Sequence, residues 1–236
     1  MCAGVKGGDA NVEPCVVKRI VGVATLALPW PLRRRVLSRL FGYRIHPTAR
    51  IGISWVFPRY LEMGPGSEIG HLTVCKGLDV VRLAEHASVG RANWITGWPK
   101  DDRRHFDDES REPRLTLGAH AAITHRHLID CTAAVSIGDF TTVAGYRSQL
   151  LTHSIDIDQS RQAAAPITVG RYCFIGTNCV LLGGSALPDY SVLGAKSLLN
   201  KEFAAPYKLY GGVPATPVKA LQRSAAYFNR SSGFVA

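Results

Sequence analysis

The stretch "VGRYCFIGTNCVLLGGSALPDYSVLGAKSL", Val169 to Leu198, divides into five consecutive sixes: VGRYCF, IGTNCV, LLGGSA, LPDYSV and LGAKSL. The first place of each six is aliphatic: Val169, Ile175, Leu181, Leu187 and Leu193. The fifth is small: Cys173, Cys179, Ser185, Ser191 and Ser197. A strand repeats every two residues and a helix every 3.6, so neither accounts for a period of six. A triangular β-solenoid does. Each face sends one aliphatic side chain inward, and a small residue fits near each corner. Stacked coils then bury a column of side chains that no single coil could cover.

The same phase recurs upstream with interruptions. It runs over Leu83–Trp98, Leu117–Ala134 and Ile137–Ser148, with a weaker version from near Met63. The breaks predict segments extruded from the coil, of which two are long: residues 99–114 and 154–166. The expected organisation is a basic helical appendage over 1–44, a solenoid over 45–216, and a C-terminal helix with a tail over 217–236. That helix is placed near Pro217 to Tyr227.

Composition bounds the remaining possibilities. The 236 residues are 46% hydrophobic and 19% charged, which excludes a disordered chain. The net charge of +10 favours anionic partners. Nucleic acid is not expected, since no aromatic and basic residues interleave in the manner of RNA-binding modules. The six cysteines form no C-x-x-C pair, and four lie in apolar strand-like segments. They read as reduced thiols filling small core positions, in a cytoplasmic protein with no structural metal. The apolar run Ile20 to Trp30 is far shorter than the roughly 20 residues of a membrane span. Arg33, Arg34, Arg35 and Arg39 interleave with Val36, Leu37, Leu40 and Phe41 as in a basic amphipathic helix. Such a helix either caps the domain or touches the inner face of the cytoplasmic membrane.

The hexads from Val169 to Leu198 resemble the hexapeptide-repeat acyltransferases. Within them, "LPWPLRRRVLSRLFG", "HRHLIDCTAAVSIGDFTTVAGYRSQLLTHSIDID" and "ITVGRYCFIGTNCV" are most similar to polysaccharide and colanic-acid type O-acetyltransferases. The resemblance covers about Ile45 to Lys219 and implies an all-β, left-handed parallel β-helix that assembles as a homotrimer. It also implies direct acetyl transfer from acetyl-CoA to a glycan hydroxyl, or to the amine of an amino sugar.

Such a reaction needs a base for the acceptor's proton, and imidazole, with a pKa near ~6.5, is best matched to neutral pH. His153 stands where the coil yields to the second extrusion, the kind of place the resemblance gives to the base. Asp156 and Asp158 are near enough in sequence to orient it, and His125 and His127 are the next candidates. By the same resemblance the cofactor meets Thr177, Ala195 in "LGAKS", Asn200 and Lys201, then Lys219, five residues beyond the G-V-P of Gly212–Pro214. Thr216 stands where the resemblance implies an arginine, a departure at one implied phosphate contact. Tyr146, Arg147 and Trp94 are candidates for the acceptor pocket, with Trp98 bordering the first extrusion.

Two other functions fit parts of the pattern. His120 and His125, five apart, with His86 upstream, suit a zinc site of the γ-carbonic anhydrase kind, although His120 occupies the fourth place of its hexad rather than the third. A solenoid that only scaffolds partners is the other.

Overall fold

The computed structural model describes residues 21–102, 105–106 and 110–233. The coil forms a three-sided prism. Its faces are sheets of seven, nine and seven strands, parallel except for the last strand of the nine, and each coil visits face one, face two and face three in turn. The handedness is left, opposite to the usual crossover rule.

Register shows how the hexads fill the interior. Face one stacks Ile45, Met63, Leu83, Leu117, Ile137, Val169 and Leu187. Face two stacks Ile51, Ile69, Val89, Ile123, Val143, Ile175 and Leu193, then Tyr210. Face three stacks Val56, Cys75, Ile95, Ile129, Leu150, Leu181 and Leu199. Every one of these is buried. The small fifth-place residues are buried too, and Cys75, Cys131, Cys173 and Cys179 are unpaired thiols within the core. Cys2 and Cys15 lie outside the described residues.

Each coil turns at three edges. At the edge from face one to face two, His86, His120, Phe140, Tyr172, Tyr190 and Tyr207 stack ring on ring at centroid spacings of 4.6 to 5.3 Å. All six have positive φ, between 54° and 57°. The strain of that conformation at non-glycine residues is offset by stacking with the coils above and below.

Both long extrusions leave the prism at a single edge, from face three to face one. Residues 97–113 link Thr96 to Arg114, and residues 152–166 link Leu151 to Ile167. The second was expected as a loop. It is a β-hairpin, in which His153–Asp156 pairs antiparallel with Arg161–Ala164. Ile155 and Asp156 are therefore strand, in a sheet apart from the three faces, and Ile157 and Asp158 belong to the turn.

The expected helix over Pro217 to Tyr227 is corrected. Ala215–Ala220 is a strand returning antiparallel along Lys208–Gly212, and Ala226–Asn229 forms one 3-10 turn. Local sequence favours a helix there, but the end of face two offers unpaired backbone, and pairing prevails. Gly212, at φ 105°, makes the reversal that a residue with a side chain would resist.

The opposite end of the prism is closed by the helix Trp30–Phe41, which begins with proline at its second position and ends on left-handed Gly42. Arg33 is buried, and its guanidinium donates to the carbonyls of Gly52 at 2.7 Å, Ser54 at 3.0 Å and Ile51 at 3.5 Å. Arg34 donates to Ile45 at 3.2 Å, and the Trp30 indole to Ala49 at 2.9 Å. Among the described residues no coil lies beneath the first one, and these side chains satisfy its exposed acceptors. Arg33→Met keeps the stem but strands those carbonyls. It should lower unfolding free energy by about 1–3 kcal/mol in urea titration, whereas Arg35→Met, on the outer side, should change it little.

Candidate active site

His153 is the first residue of the protruding hairpin. Its Nδ1 lies 2.9 Å from Oδ2 of Asp130, which sits one coil earlier on face three. A carboxylate only accepts, so Nδ1 carries the hydrogen and Nε2 keeps its lone pair. The imidazole is 38% exposed and the carboxylate 8%. Buried carboxylates persist only when their oxygens are filled, and here they are. Oδ2 also accepts from the Thr152 hydroxyl at 2.5 Å and from the backbone N–H groups of Thr152 and His153 at 2.9 and 3.0 Å. Oδ1 accepts from the Thr132 hydroxyl at 2.7 Å and its N–H at 3.3 Å.

The electrostatics follow from those contacts. Burial works to raise the Asp130 carboxyl, but hydrogen bonds from His153, Thr152 and Thr132 outweigh it and hold the group below its ordinary value. The bond to Asp130 raises the His153 imidazole above its ordinary value, against the opposing effect of burial. The pair is arranged to orient the ring, fix its tautomer and make it a stronger base.

The first extrusion completes the wall. Phe106, buried, meets the His153 ring edge to face with centroids 6.3 Å apart. The Arg111 guanidinium lies 4.3 Å from the Phe106 ring and donates to the carbonyls of Trp98 at 2.6 Å and Pro99 at 2.8 Å. The two extrusions thus converge over the coil that carries Asp130, where Cys131–Ala134 is buried beneath them.

Asp156, the expected orienting acid, is not at this site. Its Oδ1 accepts the Gln159 N–H at 3.0 Å within the hairpin turn. Sequence distance misled here, because a solenoid brings residues one coil apart closer than residues three apart along a protruding strand. The missed signal was an acid in the apolar run "LIDCTAA". Flanked by core residues Ile129 and Cys131, it required a polar partner from the neighbouring coil.

His127 is not a candidate base. It is buried, its Nδ1 accepts the Ser148 N–H at 3.1 Å, and its Nε2 meets the Thr124 hydroxyl at 3.0 Å. Burial, then the neighbouring His125, lowers its pKa to about 4. His125 latches the edge from face two to face three by accepting the Arg91 N–H at 3.1 Å. Both His127 nitrogens are thus engaged within the coil. His86 and His120 stand at a different edge from His125, so the three histidines do not converge within one chain.

The expected binding residues separate into groups. Tyr146, Arg147, Thr177 and Ala195 lie along the edge from face two to face three. There the Thr177 hydroxyl accepts the Tyr146 N–H at 3.0 Å and donates to its carbonyl at 3.1 Å. Trp94 lies on the outer side of face three, 48% exposed, with Lys76 Nζ 5.5 Å from its ring centroid. Asn200 and Lys201 follow Leu199, so they stand at the edge of His153 but two coils higher. Lys219 is on the terminal hairpin, opposite Leu209. Trp98 packs against His105 of the first extrusion at a tilt of 31°, with centroids 4.1 Å apart.

No family model matches the sequence, and no curated protein matches it significantly. Solved structures do match. A hexapeptide-repeat-containing acetyltransferase from Vibrio cholerae, complexed with acetyl coenzyme A, aligns over 93% of each chain with TM-score 0.52 and 18% identity. The chain has the hexapeptide-repeat acetyltransferase fold. The polysialic acid O-acetyltransferase OatWY aligns over 75% of this chain and 84% of its own, with TM-score 0.53 and 16% identity. In that fold this chain's two extrusions and its Asp130–His153 pair occupy one edge of the prism.

Proposed function

We propose that this protein transfers an acetyl group from acetyl-CoA to a hydroxyl of a sugar, glycan precursor or polysaccharide, with His153 as general base. The Asp130–His153 pair carries the reading. Nε2 takes the acceptor's proton as its oxygen attacks the thioester carbonyl. The carbon–sulfur bond then breaks, and the thiolate of CoA leaves with the proton held on the imidazole. A neutral amine attacks without losing a proton first, so a base strengthened by a buried carboxylate favours a hydroxyl acceptor over an amine. The acetyl-CoA complex of the Vibrio cholerae protein and the O-acetyltransferase activity named for OatWY support donor and acceptor class.

Thr177, Ala195, Asn200, Lys201 and Lys219 are proposed cofactor contacts, and Tyr146, Arg147 and Trp94 acceptor contacts. The first two cofactor residues and His153 lie at opposite edges of face three, roughly 15–20 Å apart at about 3.3 Å per strand residue. Three prisms packed around an axis bring an edge of one beside a different edge of the next, so a homotrimer unites what one chain separates. The hairpin supports this, since Ile155 and Ile157 protrude with 64% and 87% of their surface exposed. Sedimentation should give three times the chain mass. Ile155→Asp with Ile157→Asp should shift it to one.

Reduced core thiols support a cytoplasmic location. Among the described residues, no helix is long and apolar enough to cross a membrane.

The decisive experiment follows thiol release from acetyl-CoA over a panel of glycan acceptors, with a thermal shift by acetyl-CoA alone. Ligand at 100 times its Kd should stabilise by about 2.7 kcal/mol. Neither thiol release nor thermal shift would leave only a scaffold.

A further inference from the structure

The capped end of the prism is strongly basic. Residues 21–61 hold seven of the 28 Lys and Arg and none of the 18 Asp and Glu. Residues 62–195 hold 12 basic against 15 acidic, and residues 196–236 six against one, so the capped end is the more basic of the two. This segment contains the capping helix Trp30–Phe41 and the first coil. Arg33 and Arg34 are used inward, and Arg59 is paired with Asp79 and Asp101. Arg35, Arg39, Arg44 and Arg50 are exposed, and no ion pair among the described residues includes them.

The helix's outer stripe is not simply a solvated face. Leu32, Arg35, Val36, Arg39 and Leu40 follow the spacing i, i+3, i+4, i+7, i+8. Leu32 and Leu40 are 47% and 56% exposed. Val23, just upstream, is 47% exposed. A solvated helix face commonly carries acids among its bases, whereas this one alternates leucine with arginine and has no acid. That combination suits a surface with anionic headgroups over hydrocarbon, where arginines meet phosphates and leucines enter the acyl boundary. A nucleic acid satisfies only the arginines.

We propose that the capped end of the prism is a docking surface for an anionic lipid bilayer, with Leu32, Arg35, Arg39 and Leu40 as its centre. The prism axis then stands away from the membrane, and the hairpin carrying His153 lies several coils above it. This rests on the acetyltransferase reading only for why such docking is useful: it holds the site near acceptors carried on lipid. Binding itself is independent of that reading.

Co-sedimentation tests it. The full chain is mixed with vesicles of phosphatidylcholine alone, or with one third phosphatidylglycerol. Binding is expected only to the anionic vesicles and should weaken steeply as salt shortens the Debye length from ~10 Å at 0.1 M to ~3 Å at 1 M. At about 1 kcal/mol for each basic residue, Arg35→Ser with Arg39→Ser should weaken binding roughly 30-fold. Leu32→Ser with Leu40→Ser should also release the protein, while leaving its binding to a single-stranded oligonucleotide as weak as before. All four positions are exposed, so thermal unfolding should be unchanged, as should acetyl transfer to a soluble acceptor. Equal binding to both vesicles, no binding to either, or oligonucleotide binding as tight as that to anionic vesicles would each overturn the proposal. Failure of acetyl transfer with intact vesicle binding would overturn the enzymatic reading instead.

Discussion

His153→Ala should lower turnover by about 10²–10⁴-fold, the range for removal of a general base. The KM for acetyl-CoA should change little, since the imidazole acts on the acceptor's proton rather than on the cofactor. Asp130 keeps its bonds from Thr152 and Thr132 in the variant, so the fold should survive and the loss should lie in kcat. Stopped-time thiol release with saturating acceptor measures it. Turnover within a factor of two of the unsubstituted protein would remove His153 from the reaction. The pH dependence is a second test of the same residue. Only neutral imidazole can take a proton, so the rate should rise with pH through the His153 pKa. That limb should lie on the alkaline side of 6.5, because Asp130 raises the group.

Asp130→Asn should combine two losses. The carboxamide cannot accept from His153, Thr152 and Thr132 together, and its own N–H groups would face donors. Leaving a buried donor unsatisfied in this way costs about 1–3 kcal/mol, visible as a fall in the urea midpoint. Catalysis should fall as well, by up to about 10⁴-fold if the ring takes the wrong tautomer. The acid limb of the rate profile should move down towards 6.5 or below it as the raising partner is lost. A purely structural Asp130 would destabilise without moving that limb. Stability should respond to pH with opposite signs for the two partners. The Asp130 pKa is held down, so its contribution is present above about 4 and lost as pH falls through the folded value. The His153 pKa is raised, so its contribution is full below about 6.5 and lost as pH rises through the folded value. The pair therefore stabilises most between those limits, about pH 4 to 6.5, with less at either side.

The solenoid was legible because its rule is local and repeated: Val169, Ile175, Leu181, Leu187 and Leu193 announce their burial through spacing alone. His153 was legible as the residue where the phase breaks. Asp130 was not, since nothing in the linear order of "LIDCTAA" says that the chain will pass overhead 22 residues later with Thr152. Sequence neighbours such as Asp156 attracted the assignment because the extrusion's own structure, a hairpin that carries them away from the prism, is written in pairing rather than in periodicity. The C-terminal strand was missed for the same reason. Pro217 and Val218 respond to the open end of face two, which belongs to another part of the chain. Phe106 was hidden inside the extruded segment, where the hexad period gives no sign of burial.

That both extrusions leave by one edge has a consequence for how the molecule can change. In a stack where each coil touches only the coils above and below, a longer excursion at a turn costs little more than loop closure, about 0.6 kcal/mol for each doubling of length. The other two edges keep the register, so the edge from face three to face one is free to vary without disturbing the columns. Exchanging residues 99–113 or 157–160 for segments of other lengths should alter which acceptor is admitted while the prism still assembles. The fold separates an inherited frame from a replaceable rim, and new specificities can be grafted at the rim one segment at a time.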